Sequence, residues 1–206
     1  MKGWTACSAA AWLIGATAGL AQEQISEAKA SFIFNEERVK ISQGTPDAVA
    51  FIETFAAPTS ACGAGCVVPM QAARGVPTLG EIEVLAFLTD EVAGNAGLMV
   101  DARAPQDRAK GFIPGSVSLP QHTLSESNSF RDDILRALGA RDLDGVFDFT
   151  NARALLVYDT GPGSDDAGKL ISKLMTTGYP AEKLFYYRGG MQVWTVLGFS
   201  IEKGQG

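Results

Sequence analysis

Ala154-Leu155-Leu156-Val157-Tyr158 runs into Asp159-Thr160-Gly161-Pro162-Gly163-Ser164-Asp165, and Asp166 and Ala167 then lead to Leu170, Ile171 and Leu174. Five successive apolar or aromatic residues closed by a Gly/Pro-rich loop read as a strand buried on both faces. The apolar positions that follow recur at helical spacing, which predicts a helix over Ala167 to Met175. Strand, tight loop and helix in that order form the βα unit of a parallel α/β sheet.

The same alternation extends in both directions. Upstream, Gly97-Leu98-Met99-Val100 is a second apolar strand ending in Asp101-Ala102-Arg103, and residues 111–120 supply a tight turn and a third short strand. Before them, Thr78 with Glu81 three residues on offers a capping box for a helix carrying Ile82, Leu85, Ala86 and Leu88. Between the strands, Phe130, Ile134, Leu135 and Leu138 share a helical face. Downstream, Lys183 to Tyr187 reads as a strand, Arg188-Gly189-Gly190 as a turn and Met191 to Leu197 as a last helix stopped by Gly198. Right-handed crossovers place the loops after Val100, Tyr158 and Tyr187 at one edge of the sheet, where a site belongs. Nearer the N-terminus, residues 31–42 alternate as a small hairpin turning at Asn35-Glu36-Glu37, followed by a short helix, Ala48 to Phe55.

The order and spacing of three segments resemble the rhodanese-like family. Leu98-Met99-Val100-Asp101-Ala102-Arg103 resembles its Val-Asp-Val-Arg strand end, Gly111-Phe112-Ile113-Pro114-Gly115-Ser116 its Gly-His-Ile-Pro-Gly-Ala, and Arg188-Gly189-Gly190-Met191-Gln192-Val193-Trp194 its closing Gly-Gly-x-x-x-Trp. The resemblance implies a five-stranded, mostly parallel sheet with helices on both faces, the N-terminal hairpin and helix being an extension. It also implies an active loop directly after the Leu155 to Tyr158 strand. Active members begin that loop with a cysteine and often continue with Gly and Arg. Backbone N–H groups and the helix dipole then lower the thiol pKa and hold a persulfide, and arginine attracts an anionic substrate. Here the nucleophile position is Asp159, no Arg or Lys occurs before Lys169, Asp165 and Asp166 add negative charge, and the loop is about two residues longer than the common form.

A carboxylate cannot carry a transferable sulfane sulfur, so no catalytic residue is assigned. The candidate ligand loop is Asp159, Thr160, Gly161, Pro162, Gly163, Ser164 and Asp165. Asp159 reads as a non-catalytic residue, with metal ligation, ligand hydrogen bonding or an aspartyl nucleophile as the alternatives. Asp165 and Asp166 read as charge favourable to a helix N-terminus, Asp101 and Arg103 as a structural ion pair, Phe112 as loop packing, and His122, the one histidine, as a surface or loop residue.

Met1-Lys2-Gly3, an apolar stretch from Ala9 to Leu20 and Ala21 before polar sequence form a secretory signal peptide with cleavage after Ala21. That stretch is too short to span a bilayer and no later one comes close, so no membrane span is expected after cleavage. Export, with a periplasmic destination, is therefore expected. The division is residues 1–21 signal peptide, 22–75 extension and 76–206 rhodanese-like domain. With a net charge of −6 and no basic cluster, nucleic-acid and membrane-surface partners are not expected, and neither is a cofactor.

Cleavage leaves two cysteines, Cys62 and Cys66, in a Gly-rich C-x3-C turn. The leading reading is a disulfide, with redox activity or sulfane-sulfur acceptance as the second and metal binding as the third, since two cysteines without a nearby histidine make half a zinc site. Two functions follow. One is a catalytically inactive binding or scaffold module of the cell envelope that recognises a protein or small molecule. The other is a sulfur carrier or thiol-disulfide redox protein using Cys62 and Cys66.

Overall fold

The computed structural model describes residues 28–44, 46–55 and 67–204; the proposed signal peptide, Cys62 and Cys66 lie outside the described residues. At the centre are four parallel strands: β3 (Gly97–Asp101), β4 (Ser116–Ser118), β7 (Ala154–Tyr158) and β8 (Leu184–Tyr187), in spatial order β4-β3-β7-β8. Val100 pairs with Val117 on one side and Val157 on the other, and Val157 pairs with Tyr186. Two antiparallel hairpins stand apart from this sheet. One joins β1 (Ala30–Phe34) to β2 (Glu37–Ile41), the other β5 (Arg141–Leu143) to β6 (Val146–Asp148).

The fifth strand of the expected sheet is reduced to one parallel bridge, Thr78 to Tyr186, beside β8. Tyr186 N–H donates to the Pro77 carbonyl at 2.9 Å and Leu79 N–H donates to the Tyr186 carbonyl at 2.8 Å. Pairing cannot lengthen there. Pro77 has no N–H to give, and Gly80 already caps the next helix, α2 (Glu81–Phe87). The expected capping box accordingly moves by two residues: the Gly80 N–H donates to Glu83 Oε2 at 3.1 Å, while Thr78 donates to the Met70 carbonyl. The helix face moves with it. Val84, Leu85, Phe87 and Leu88 are buried and Ile82 is exposed, α2 running on through a wide π-helical turn over Leu88–Val92.

The remaining helices are α1 (Pro46–Phe55), α3 (Pro105–Arg108), α4 (Arg131–Ala137), α5 (Asp166–Thr176) and α6 (Gly190–Val196). Side chains alternate along each strand, so the sheet separates two cores. Leu156 and Tyr158 of β7 face α2, α6 and the β1–β2 hairpin, packing with Leu88, Trp194, Phe32 and Ile41. Leu155 and Val157 face the other way, towards Leu135 and Leu138 near α4 and towards Leu170, Ile171 and Leu174 of α5. The N-terminal hairpin thus shares a core with the sheet. Its turn, Asn35-Glu36, takes positive φ at both residues, the primed-turn geometry that matches strand twist. This layering brings the end of β7, the start of α5 and the start of α6 together at the carboxyl edge of the sheet.

Candidate functional site: the loop after β7

Asp159 is the first residue beyond β7 and is completely buried. Its Oδ1 accepts the Gly161 N–H at 2.9 Å and its Oδ2 accepts the N–H of Ala167, in the first turn of α5, also at 2.9 Å. Each carboxyl oxygen therefore already has one of the backbone donors that a helix N-terminus and a tight loop offer to an anion. Burial pushes the carboxyl up from its ordinary 3.8 to about 7; the Ala167 and Gly161 N–H groups and the Ser164 hydroxyl pull against that rise, and Asp166 adds to it. The side chain lies close to the point of gaining or losing a proton at neutral pH.

The loop is clamped from three sides. Ser164 N–H closes a tight turn onto the Gly161 carbonyl at 2.8 Å. From the start of α6, Met191 N–H donates to the Asp159 carbonyl and Gln192 N–H to that of Thr160, at 3.1 and 2.9 Å. From the N-terminal segment, Val68 N–H donates to the Pro162 carbonyl at 2.9 Å, and Arg188 Nη2 donates to the Val68 carbonyl at 3.0 Å. Glycine is required where loop and helix touch. Gly161 has φ +142, and a Cβ there would lie 2.6 Å from Gln192 Oε1; Gly190 has φ +56, and its Cβ would lie 2.6 Å from Gly161 N. This contact accounts for Gly190; at Gly189 a Cβ would instead lie 2.7 Å from the Tyr187 ring.

Of the remaining loop residues, Ser164 is buried, Thr160, Pro162 and Gly163 are half-buried, and Asp165 precedes α5, its carboxylate 2.7 Å from Lys169 Nζ one turn on. Asp166 lies in the first turn, where the dipole favours its charge, although half-burial raises its pKa. Lys169, the first cation after β7, lies on α5 and is engaged with Asp165.

Asp101 and Arg103 form a fully buried bidentate pair, Nε to Oδ1 at 2.9 Å and Nη2 to Oδ2 at 2.7 Å. Arg103 also donates to the carbonyls of Gly111 and Asp107, tying the end of β3 to the turn before β4. Sequence reasoning missed the rest of this network: Arg108 Nη1 and the Tyr158 hydroxyl each donate to Asp101 Oδ2 at 3.1 Å, and Ser116 Oγ sits 2.9 Å from the Tyr158 hydroxyl. One signal was available: Tyr158, a polar-tipped residue ending an otherwise apolar strand, needs a partner when buried. Phe112 packs under the Arg108 guanidinium at 3.8 Å, and His122 is exposed in a short 3-10 turn, with no ion pair among the described residues.

A parallel α/β sheet covered on both faces, with a βα loop whose Gly161 and Ala167 N–H groups bond the carboxyl of Asp159, defines the class. The chain belongs to the rhodanese-like domain family, whose family model matches residues 85–196. Solved structures similar to it include a rhodanese-like domain from Anabaena, at 19% identity and TM-score 0.37, covering 52% of this chain and 99% of that one. A Rhodopseudomonas palustris protein described as of unknown function and a possible tyrosine phosphatase has 20% identity and TM-score 0.43, covering 64% and 88%. A thiosulfate sulfurtransferase from Pseudomonas aeruginosa has 24% identity and TM-score 0.44, covering 66% of this chain and 22% of its own. A search of curated proteins finds no match.

Proposed function

We propose that this protein is a rhodanese-like binding module of the cell envelope that does not perform sulfur transfer at the loop after β7. One observation carries the reading: Asp159 stands in the nucleophile position with both carboxyl oxygens bonded to Gly161 and Ala167 N–H groups, so the loop's own side chain fills the place of a bound anion. Oxygen in a carboxylate offers no thiol to become a persulfide. Charge opposes the usual substrates too. An anion brought within about 4 Å of ionised Asp159 meets a repulsion of about 4 kcal/mol at an effective dielectric of about 20, close to a thousandfold in affinity. The position of the loop at the carboxyl edge, where α/β sheets bind ligands, supports a recognition role for that edge.

A second reading, sulfur or redox carriage by Cys62 and Cys66, is favoured by one contact: Val67 follows Cys66 directly in sequence, and Val68 is hydrogen-bonded to Pro162 of the loop. The two readings separate in one assay. The protein is incubated with thiosulfate and cyanide, then with a persulfide donor, and weighed intact. The binding-module reading expects no thiocyanate and no gain of about 32 mass units, the mass of one sulfur atom. A sulfur adduct that disappears in Cys62→Ser or Cys66→Ser would transfer the function to the cysteine pair.

A further inference from the structure

Beside the loop, Val68, Pro69 and Ala72 line, together with α5, a cleft of about 390 Å3, within the range that holds small molecules. Its walls are apolar on the segment side, with Val68, Pro69 and Ala72, and small on the helix side, with Gly168 and Ser172; Tyr186 of β8 is also part of the lining. Three features make this cleft a site.

Gly168 is the first. It sits in the third position of α5, in ordinary helical backbone, and a Cβ built on it meets nothing within 4 Å. Glycine weakens a helix because it loses the most backbone freedom, and here neither a positive φ nor a close neighbour among the described residues calls for it. What its missing side chain does preserve is the space of the cleft. Tyr186 is the second. It is 2% exposed, yet its hydroxyl has no hydrogen-bond partner among the described residues, whereas the hydroxyls of Tyr158, Tyr179 and Tyr187 each have at least one. The phenol ring is buried while its hydroxyl oxygen keeps some exposure to solvent, so its donor is open to a bound acceptor. Charge is the third. Lys169 and Lys173, one turn apart on α5, edge the cleft together with Asp165, which precedes the same helix and pairs with Lys169, so the lining carries one surplus positive charge on a protein of net charge −6. Lys173 is held by Gln121 and Ser125, while Lys169 pairs, among the described residues, with Asp165.

We propose that this cleft binds a small carboxylic acid with an apolar body, the body lying over Gly168 against Val68 and Ala72, and the carboxylate meeting Lys169 and the Tyr186 hydroxyl. A small hydrophilic anion would leave the apolar walls unfilled, and an uncharged analogue would leave the rim without its counter-charge. The proposal rests on the reading of this domain as a binder rather than a sulfurtransferase.

The test is titration of the intact protein with phenylacetate, phenylacetamide and acetate, followed by calorimetry and by backbone amide shifts, with thiocyanate production from thiosulfate and cyanide measured on the same preparations. Phenylacetate is expected to bind saturably and to shift the amides of Gly168, Lys169 and Tyr186, with phenylacetamide at least tenfold weaker and acetate without saturable effect. Gly168→Leu fills the cleft and should abolish binding while the melting temperature stays level or rises; Lys169→Gln should weaken binding at least tenfold. Absence of saturable phenylacetate binding, or unchanged affinity in both variants, overturns the site whatever thiocyanate does. Binding accompanied by thiocyanate keeps the site and removes only the non-catalytic reading.

Discussion

Burial and hydrogen bonding act on Asp159 in opposite directions, and burial dominates, leaving the carboxyl near 7 instead of 3.8. The folded protein therefore binds an extra proton relative to the unfolded chain between those two values. The contribution of this group to stability is most favourable below the lower value, declines as pH rises through the window, and is constant above the upper one, a total of about 4 kcal/mol. Urea denaturation at pH 5 and pH 8 measures it: Asp159→Asn should remove about 3 kcal/mol of the wild-type difference between the two. An unchanged difference would show that Asp159 is ionised at both. At Asp101 the expectation is of another kind. Replacing Arg103 with Leu leaves a buried carboxylate with Arg108, Tyr158 and the backbone N–H of position 103 as its partners, and should cost about 3 kcal/mol by the same method.

At the level of elements, the loop is held in register by the contact between Gly161 and the start of α6. Gly161→Ala puts a Cβ into Gln192 and the Gly189 carbonyl at a φ that L-residues avoid, and a loss of about 2 kcal/mol, several degrees in melting temperature, is expected. Which elements could be read in advance followed from how strongly their pattern was imposed. The apolar runs at Leu98–Val100 and Leu155–Tyr158 are buried on both faces and allow one reading, and so does the Leu170, Ile171, Leu174 stripe of α5. The β5–β6 hairpin was overlooked because its strands are three residues each and largely exposed, yet Asp144-Gly145, with φ +54 and +87, is the dipeptide that favours a two-residue hairpin. The α2 stripe was misphased since Ala86 and Ile82 look apolar in sequence but face outward, and Phe130 is 67% exposed for the same reason: hydrophobicity without neighbours does not fix a face.

Across the whole molecule, the N-terminal hairpin and the sheet share one core. The Phe32 ring abuts Gly115, in the turn that leads into β4, and packs with Leu88. Phe32→Ala should cost about 3 to 5 kcal/mol, measured by denaturant unfolding; a neutral result would make the hairpin an appendage that the domain does without. Sequence gave access to Asp159 as a substitution but not to its bonds, because hydrogen bonds to Gly161 and Ala167 depend on how the loop folds back on α5. Those bonds are the centre of the account, and they can be probed directly by following the Gly161 and Ala167 amide resonances during a thiosulfate titration of wild type and Asp159→Ala. The account predicts that neither amide moves saturably in the wild type, whose cradle is already filled, and that both respond once the carboxylate is removed. Saturable shifts in the wild type, or none in Asp159→Ala, would contradict it.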